Sequence, residues 1–254
     1  MKTSPTLRLF ADLPDRDLRR EGVLIGEGRL VAQRVAAFCE PVAVLAVPEL
    51  AALAASLSRE RCPVILAPEA EIASLAGYPF HRGILIAARR PELSPLPAGL
   101  PRKVRRLVLL PATTDAENLG AIARSAAALG WDGLVVGARA ADPWGRRALR
   151  TSMGATLALA VYRMEGGTEL ETLESEGWTL LAAANEAGAE EPQSLRGIDR
   201  LALILGHEHD GIPAEVRRHC PRTVAIPQLR TDAAGVDSLN VAAAAAILLW
   251  EGRP

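Results

Sequence analysis

The sequence predicts an α/β protein built in two parts. Short β-type runs alternate with Ala- and Leu-rich helical stretches along most of the chain, which is the pattern of strands covered by helices. The alternation is interrupted at PELSPLPAGLP, residues 91–101, where proline and glycine support neither a helix nor a central strand. The length, 254 residues, suits one large domain or two small ones. We therefore expect a first domain over 1–95, a linker over 96–104 and a second domain over 105–254.

In the first part, VLI at 23–25, VAVLAV at 42–47, PVILA at 63–67 and GILIAA at 83–88 read as strands of a small α/β unit. In the second part the strand-like runs are LVLL at 107–110, GLVV at 133–136, LALAVY at 157–162, WTLLAAA at 178–184, LALIL at 201–205 and TVAIP at 223–227. Helices are expected at 117–129, 144–150, 168–176, 213–219 and 238–250. Such alternation implies a mostly parallel sheet covered on both faces. Ligands bind beyond the C-terminal ends of strands in sheets of this kind, which directs attention to the loops after 110, 205 and 227.

Composition excludes several classes of function. Hydrophobic residues make up 49% and charged residues 23% of the chain, the balance of a folded globular protein. No window approaches the roughly 18 uninterrupted apolar residues of a membrane-spanning helix, and MKTSPTLRLFADLPDRDLRR has no apolar stretch behind its charges. Cys39, Cys62 and Cys220 are far apart and odd in number, which argues against a disulfide framework and for a reducing cytoplasm. The net charge of −1 does not advertise a nucleic-acid partner. Of the 29 basic residues only Lys2 and Lys103 are lysines, so any phosphate contact falls mainly to arginine.

Each loop admits a plain and a functional reading. In PATTDAENLGAIARSAAALG, 111–130, Asn118 sits where a helix N-cap would. Leu119, Ile122, Ala123, Ala126 and Leu129 share one helical face, and Arg124 lies nearly opposite, either as a surface residue or as an unobstructed ligand contact. In LILGHEHDGIP, 203–213, His207 and His209 are polar loop residues or, with His219 or Cys220, a metal pair; the spacing is not HExxH and favours no metal. In TVAIPQLRTDAAGVDSLNVAAAAAILLWE, 223–251, Ser238 or Asp237 is an adequate N-cap, and Asn240 is an odd polar residue at the start of an apolar helix. Gly26 and Gly28 half-match GxGxxG, with Val31 at the third position, and read best as a strand-to-helix turn. A nucleotide enzyme built on these glycines is a remote alternative. The basic cluster Arg102, Lys103, Arg105 and Arg106 is either a solvated linker or a set of phosphate contacts.

Taken together, NLGAIARSAAALG (118–130), LALILGHEHDGIP (201–213) and VAIP with SLNVAAAAAILLWE (224–251) resemble, in order, the three motifs of SPOUT-superfamily RNA methyltransferases of the SpoU (TrmH-like) type. RRALRTSMGA (146–155) also resembles family sequence, and 22–90, on its βα alternation and HRGILIA (81–87), looks more loosely like the L30e-like RNA-binding domain that many such enzymes carry. The resemblance implies an α/β SPOUT domain with a trefoil knot, a homodimer, S-adenosyl-L-methionine as cofactor and no metal. The implied reaction is methylation of a ribose 2′-hydroxyl in rRNA or tRNA; a catalytically inactive RNA-binding protein of the same fold is the alternative. By residue, it assigns Asn118 and Arg124 to the reacting ribose or phosphate and Glu208, Ser238 and Asn240 to shaping the active site. Leu205, Gly206, Ile226 and Leu239 would hold the cofactor, largely through backbone groups. The sequence departs from the family in two places. His209 stands where glycine usually follows the motif's Glu, which implies strain if that backbone needs positive φ. The stretch QLRTDAAGVD is longer than is common and would suit a lid.

Overall fold

A computed structural model of the chain describes residues 5–11, 15–59, 62–229 and 239–254. It divides into two compact units, one of Met1–Glu92 with Trp144–Ala158 and one of Leu93–Pro143 with Leu159–Pro254.

The first unit holds α1 (Pro5–Arg8), α2 (Asp15–Arg20), β1 (Val23–Glu27), α3 (Arg29–Phe38), β2 (Pro41–Ala46), α4 (Ala51–Leu57), β3 (Val64–Leu66), α5 (Glu69–Ala76) and β4 (Ile84–Arg89). The strands form one sheet in the order β1-β4-β2-β3, with β4 antiparallel to both neighbours and β3 parallel to β2. β1 is buried along its whole length, as expected of a continuous apolar run with both faces covered. Ile25, Leu45, Ile72, Phe80 and Leu85 form the centre of its core. A Cβ at Gly26 would lie 2.8 Å from Val35 Cγ2 and 3.0 Å from Ile86 Cγ2. The glycine therefore serves close packing of α3 on the sheet, in keeping with a strand-to-helix turn.

The second unit contains β5 (Ser94–Pro95), β6 (Arg106–Leu110), α6 (Ala116–Ala128) and β7 (Gly133–Gly137). After α7 (Arg146–Thr151) follow β8 (Ala160–Met164), α8 (Thr168–Ser175), β9 (Thr179–Ala183), β10 (Leu201–Leu205), α9 (Ala214–Arg217), β11 (Arg222–Val224) and α10 (Val241–Glu251). The seven strands are ordered β11-β9-β10-β6-β7-β8-β5, and every pair is parallel. The predicted parallel sheet is thus present, and the order reverses direction between β6 and β10.

Three sequence expectations change. The segment Trp144–Ala158, with α7, belongs to the first unit, so 105–254 is not one contiguous body. There α7 packs on β1, Arg34 Nη1 donates to Met153 O at 2.8 Å, and Arg146 stacks on Tyr78 at 4.8 Å from the ring centre. The proline-rich stretch is not a free linker: Ser94–Pro95 pairs with β8 as the edge strand of the sheet, and Leu96, Leu100 and Val104 are buried in the core of the second unit. Its prolines fit because an edge strand needs few donors.

The third change concerns the basic cluster. Arg102 and Lys103 are exposed, and Arg105 pairs with Asp199. Arg106 is only 5% exposed. Its Nε donates to Gly252 O at 2.6 Å, and Nη1 donates to Asp199 O at 2.7 Å and Arg105 O at 3.1 Å. Burial lowers its pKa, opposed by the carboxylates of Asp132 and Asp199. With its donors spent on backbone carbonyls, Arg106 is a structural residue and is removed from the RNA-contacting set. Sequence could not separate it from its neighbours because all four are basic residues within five positions.

Replacing Arg106 with Ala leaves three carbonyls without this donor and is expected to cost about 3 kcal/mol of stability in urea unfolding. Arg102→Ala, at an exposed position, is expected to stay within about 0.5 kcal/mol of wild type.

Candidate active site

The C-terminal ends of β9, β10 and β11 are adjacent because those strands are neighbours in a parallel ladder. Beyond them lies a cleft of about 900 Å³, bounded by the loops leaving the three strands and by the first turns of α10. Leu205, Val224, Ile226, Leu239 and Leu248 supply apolar walls, while Asn185, Glu186, Glu208 and Arg217 supply polar groups. Its size falls within the roughly 300–1,000 Å³ of small-molecule sites, which pair apolar linings with a few placed polar groups.

The loop after β10 is held by its own backbone. His207 N donates to Gly211 O at 2.9 Å, and Gly211 N donates back to His207 O at 3.0 Å. The turn folds so closely on β10 that a Cβ at Gly206 would lie 2.5 Å from Gly211 C and 2.7 Å from Ile212 N. Both are backbone atoms, so only glycine fits at 206. The positive φ of the loop falls on Gly211, at 65°. Among the described residues Met153 is the non-glycine residue with positive φ. The strain expected at His209 is therefore absent: the turn takes its left-handed residue two positions later.

Helix α6 is capped by Asp115, whose carboxylate accepts from the amides of Glu117 at 2.6 Å and Asn118 at 3.1 Å. This corrects the assignment of Asn118 as the cap, since a carboxylate three positions earlier takes that role. Asn118 is left free to reach across the site. Its Nδ2 donates to Glu208 Oε1, and its Oδ1 accepts from Asn240 Nδ2 at 3.1 Å. Asn240 is itself the N-cap of α10, accepting from Ala242 N at 2.9 Å and Ala243 N at 3.3 Å. The odd polar residue of the apolar helix is thereby explained, and the cap expected at 237 or 238 lies further along at 240.

Asn118, Glu208 and Asn240 thus form one hydrogen-bonded chain, and Leu205, Gly206, Glu208, Ile226, Leu239 and Asn240 line the cleft. Arg124 stands apart from this group on the exposed face of α6, and forms no ion pair with the described residues. Ser238 and nearly all of the expected lid, 230–237, lie outside the described residues. Sequence reading missed the loop after β9. Ala183 and Asn185 line the cleft, and Glu186 pairs with Arg217 at its rim, Oε2 to Nη2 being 2.7 Å. This bond holds the Glu186 carboxyl below the usual carboxylate range. The rule that directed attention to other strand ends applied equally to WTLLAAA.

His207 accepts at Nδ1 from its own loop and meets Thr114 Oγ1 with Nε2 at 3.1 Å. Among the described residues no group of three or more His, Cys, Asp or Glu is disposed to hold a metal ion. Cys220 is buried, and burial raises its thiol pKa to about 11, as it does for Cys39.

The SpoU rRNA Methylase family matches residues 105–250, the stretch that carries every element of this cleft. The chain belongs to the SpoU family. It is an RNA methyltransferase of that family by sequence. An uncharacterized tRNA/rRNA methyltransferase of Mycobacterium bovis is 37% identical over 97% of this chain and 88% of its own length. A 23S rRNA (guanosine(2553)-2′-O)-methyltransferase of Bacillus subtilis, RlmP, is 33% identical over 59% of this chain and 58% of its own. In fold, the chain matches an AdoMet-bound rRNA methyltransferase of Sinorhizobium meliloti with a TM-score of 0.82, 22% identity, and coverage of 99% of this chain and 95% of that one. The SpoU methyltransferase AviRb of Streptomyces viridochromogenes with AdoMet gives a TM-score of 0.81 at 23% identity, over 98% and 97% of the two chains.

Thiol accessibility checks the burial of the cysteines. In native protein at pH 8, Cys62 is expected to react first with a thiol reagent, and Cys39 and Cys220 only on unfolding, since buried thiols with raised pKa present little thiolate. Rapid native labelling of Cys220 would contradict the packing beside α9.

Proposed function

We propose that this SpoU-family protein transfers a methyl group from S-adenosyl-L-methionine to a ribose 2′-hydroxyl of rRNA or tRNA. The observation that carries the reading is the chain from the α10 N-terminus through Asn240 and Asn118 to Glu208, set at the mouth of an apolar cleft. The ribose acceptor is supported by the 2′-O activity in the name of the RlmP relative. Residues present fit the cofactor: Leu205, Ile226 and Leu239 offer apolar surface for a flat base, and the polar rim offers groups for a charged amino-acid tail. When bound, S-adenosyl-L-methionine supplies a methyl group on a sulfonium, whose departure as a neutral thioether requires no metal.

The protein's task is then alignment and charge management. Asn118 and Asn240 have their amides committed to each other and to Glu208, and so hold that carboxylate in one place. Arg124, a cationic guanidinium, binds the phosphate beside the target ribose and offsets oxyanion charge as the hydroxyl gives up its proton to solvent. Ser238 is assigned to the same site by family resemblance.

The reading extends to the whole protein. The first unit is assigned an L30e-like, RNA-binding role by family resemblance. Arg102, Lys103 and Arg105 remain candidates for phosphate contact. A trefoil knot in the second unit is implied by the family resemblance. A homodimer is supported by α10, whose exposed face carries Ala243, Ile247 at 42% and Trp250 at 52% exposure, one and two turns apart. No helix among the described residues is long and apolar enough to cross a membrane; the cytoplasmic location of this reading follows from its RNA substrate.

Isothermal titration with S-adenosyl-L-methionine, followed by methyl transfer to unmodified rRNA and tRNA transcripts, tests the reading; binding with transfer to ribose is expected. Arg124→Ala is expected to lower turnover at least about 100-fold with cofactor affinity unchanged. Loss of cofactor binding in that variant would assign Arg124 a structural role instead. Neutralising Arg102 and Lys103 is expected to reduce the salt dependence of RNA binding, and an unchanged slope would remove both from the interface.

A further inference from the structure

We infer that His207 is a positioning residue that locks Glu208 against the start of α6 through a cross-loop bond to Thr114, with its ring proton on Nε2. The inference rests on the reading of the cleft as a methyl-transfer site. Nδ1 lies 3.2 Å from the amide of His209 and 3.4 Å from that of Asp210. Both amides are donors, so Nδ1 must present its lone pair. The proton of the neutral ring is then on Nε2, which donates it to Thr114 Oγ1 at 3.1 Å.

The two faces of this arrangement serve different segments. Nδ1 organises the turn that carries Glu208, whereas Nε2 reaches the residue just before Asp115, the cap of α6. The same two segments are joined a second time by Glu208 and Asn118. His207 therefore fixes the turn, and Glu208 with Asn118 forms the contact that the turn positions. The ring is not available as a general base, because one nitrogen is filled by amide donors and the other bears the proton. The charged groups around it are the carboxylates of Glu208, 4.0 Å from Nε2, and Asp210, 3.6 Å from Nδ1; the His209 ring lies 5.8 Å away between centroids.

Two near-isosteric variants separate the roles. His207→Asn keeps an acceptor where Nδ1 stands and loses the reach to Thr114; His207→Gln extends an amide donor toward Thr114. Expected for His207→Asn is a fall in kcat of about 10- to 100-fold with S-adenosyl-L-methionine affinity unchanged, as follows from small misplacement of a reacting group. His207→Gln is expected to recover most of the rate. Thr114→Val should reproduce the loss, and the double variant His207→Asn with Thr114→Val should be no slower than either single one. Wild-type kcat in His207→Asn, or multiplicative losses in the double variant, would overturn the inference. Should a His207 variant fail to fold, Thr114→Val alone decides by the same rate. Nitrogen-15 NMR of the wild-type ring provides a readout independent of activity: a protonated Nε2 supports the lock, and a protonated Nδ1 overturns it. Absence of any methyl transfer by wild type would instead sink the functional reading, a result distinguishable from either ring signal.

Discussion

Because β6, β9, β10 and β11 all run parallel, every loop that leaves their C-terminal ends emerges on one edge of the sheet. The chain need not fold a pocket separately; it has only to leave those ends uncovered. The order β11-β9-β10-β6 places the loop after β10 at the centre, with neighbours on both sides. A loop in that place has little room to spread. It turns back on itself through the reciprocal His207 and Gly211 bonds, at a distance that only a glycine at 206 permits. The requirement for glycine at this position is thus a consequence of sheet order before it is a matter of ligand binding.

Polar order in the site is propagated from a helix end. The first free amides of α10 are donors, so the Asn240 side chain must turn its oxygen toward Ala242 and Ala243. Its nitrogen then faces Asn118, which must answer with oxygen and present its own nitrogen to Glu208. Neither amide flips without losing bonds at both ends. The chain terminates on an acceptor, and the partial positive charge of a helix N-terminus favours a carboxylate there. Three segments far apart in sequence are thereby set in one electrostatic arrangement.

Much of this was legible in the sequence, and the parts that were not share a cause. The strands were readable because each is a short apolar run with punctuation, and β10 occupies the residues expected, Leu201–Leu205. The buried face of α6 was readable because helical periodicity places Leu119, Ile122, Ala123 and Ala126 together. Local capping was misread because several residues near 115–118 and 237–240 have capping chemistry, and only the backbone path decides which one uses it. The roles of Arg106 and of the segment 144–158 depend on contacts over long sequence separations, such as the bond from Arg106 to Gly252. No window of local pattern contains such information.

The arginine inventory shows how a nearly neutral chain can still address an anion. In the second unit Arg105, Arg163, Arg196, Arg217 and Arg222 are paired with Asp199, Glu165, Glu251, Glu186 and Glu190. Arg106 is enclosed by carbonyls. Pairing cancels most of the formal charge in place, and what reaches a distant partner is the remainder. Arg102, Lys103 and Arg124 are exposed and make no ion pair with the described residues. Net charge therefore understates the local potential near them, because a phosphate within a Debye length, about 10 Å at 0.1 M salt, responds to the nearest uncompensated cation. On this argument Arg124, like Arg102, differs in its surroundings from the ion-paired arginines of the unit, since all carry the same guanidinium and those have already found a carboxylate.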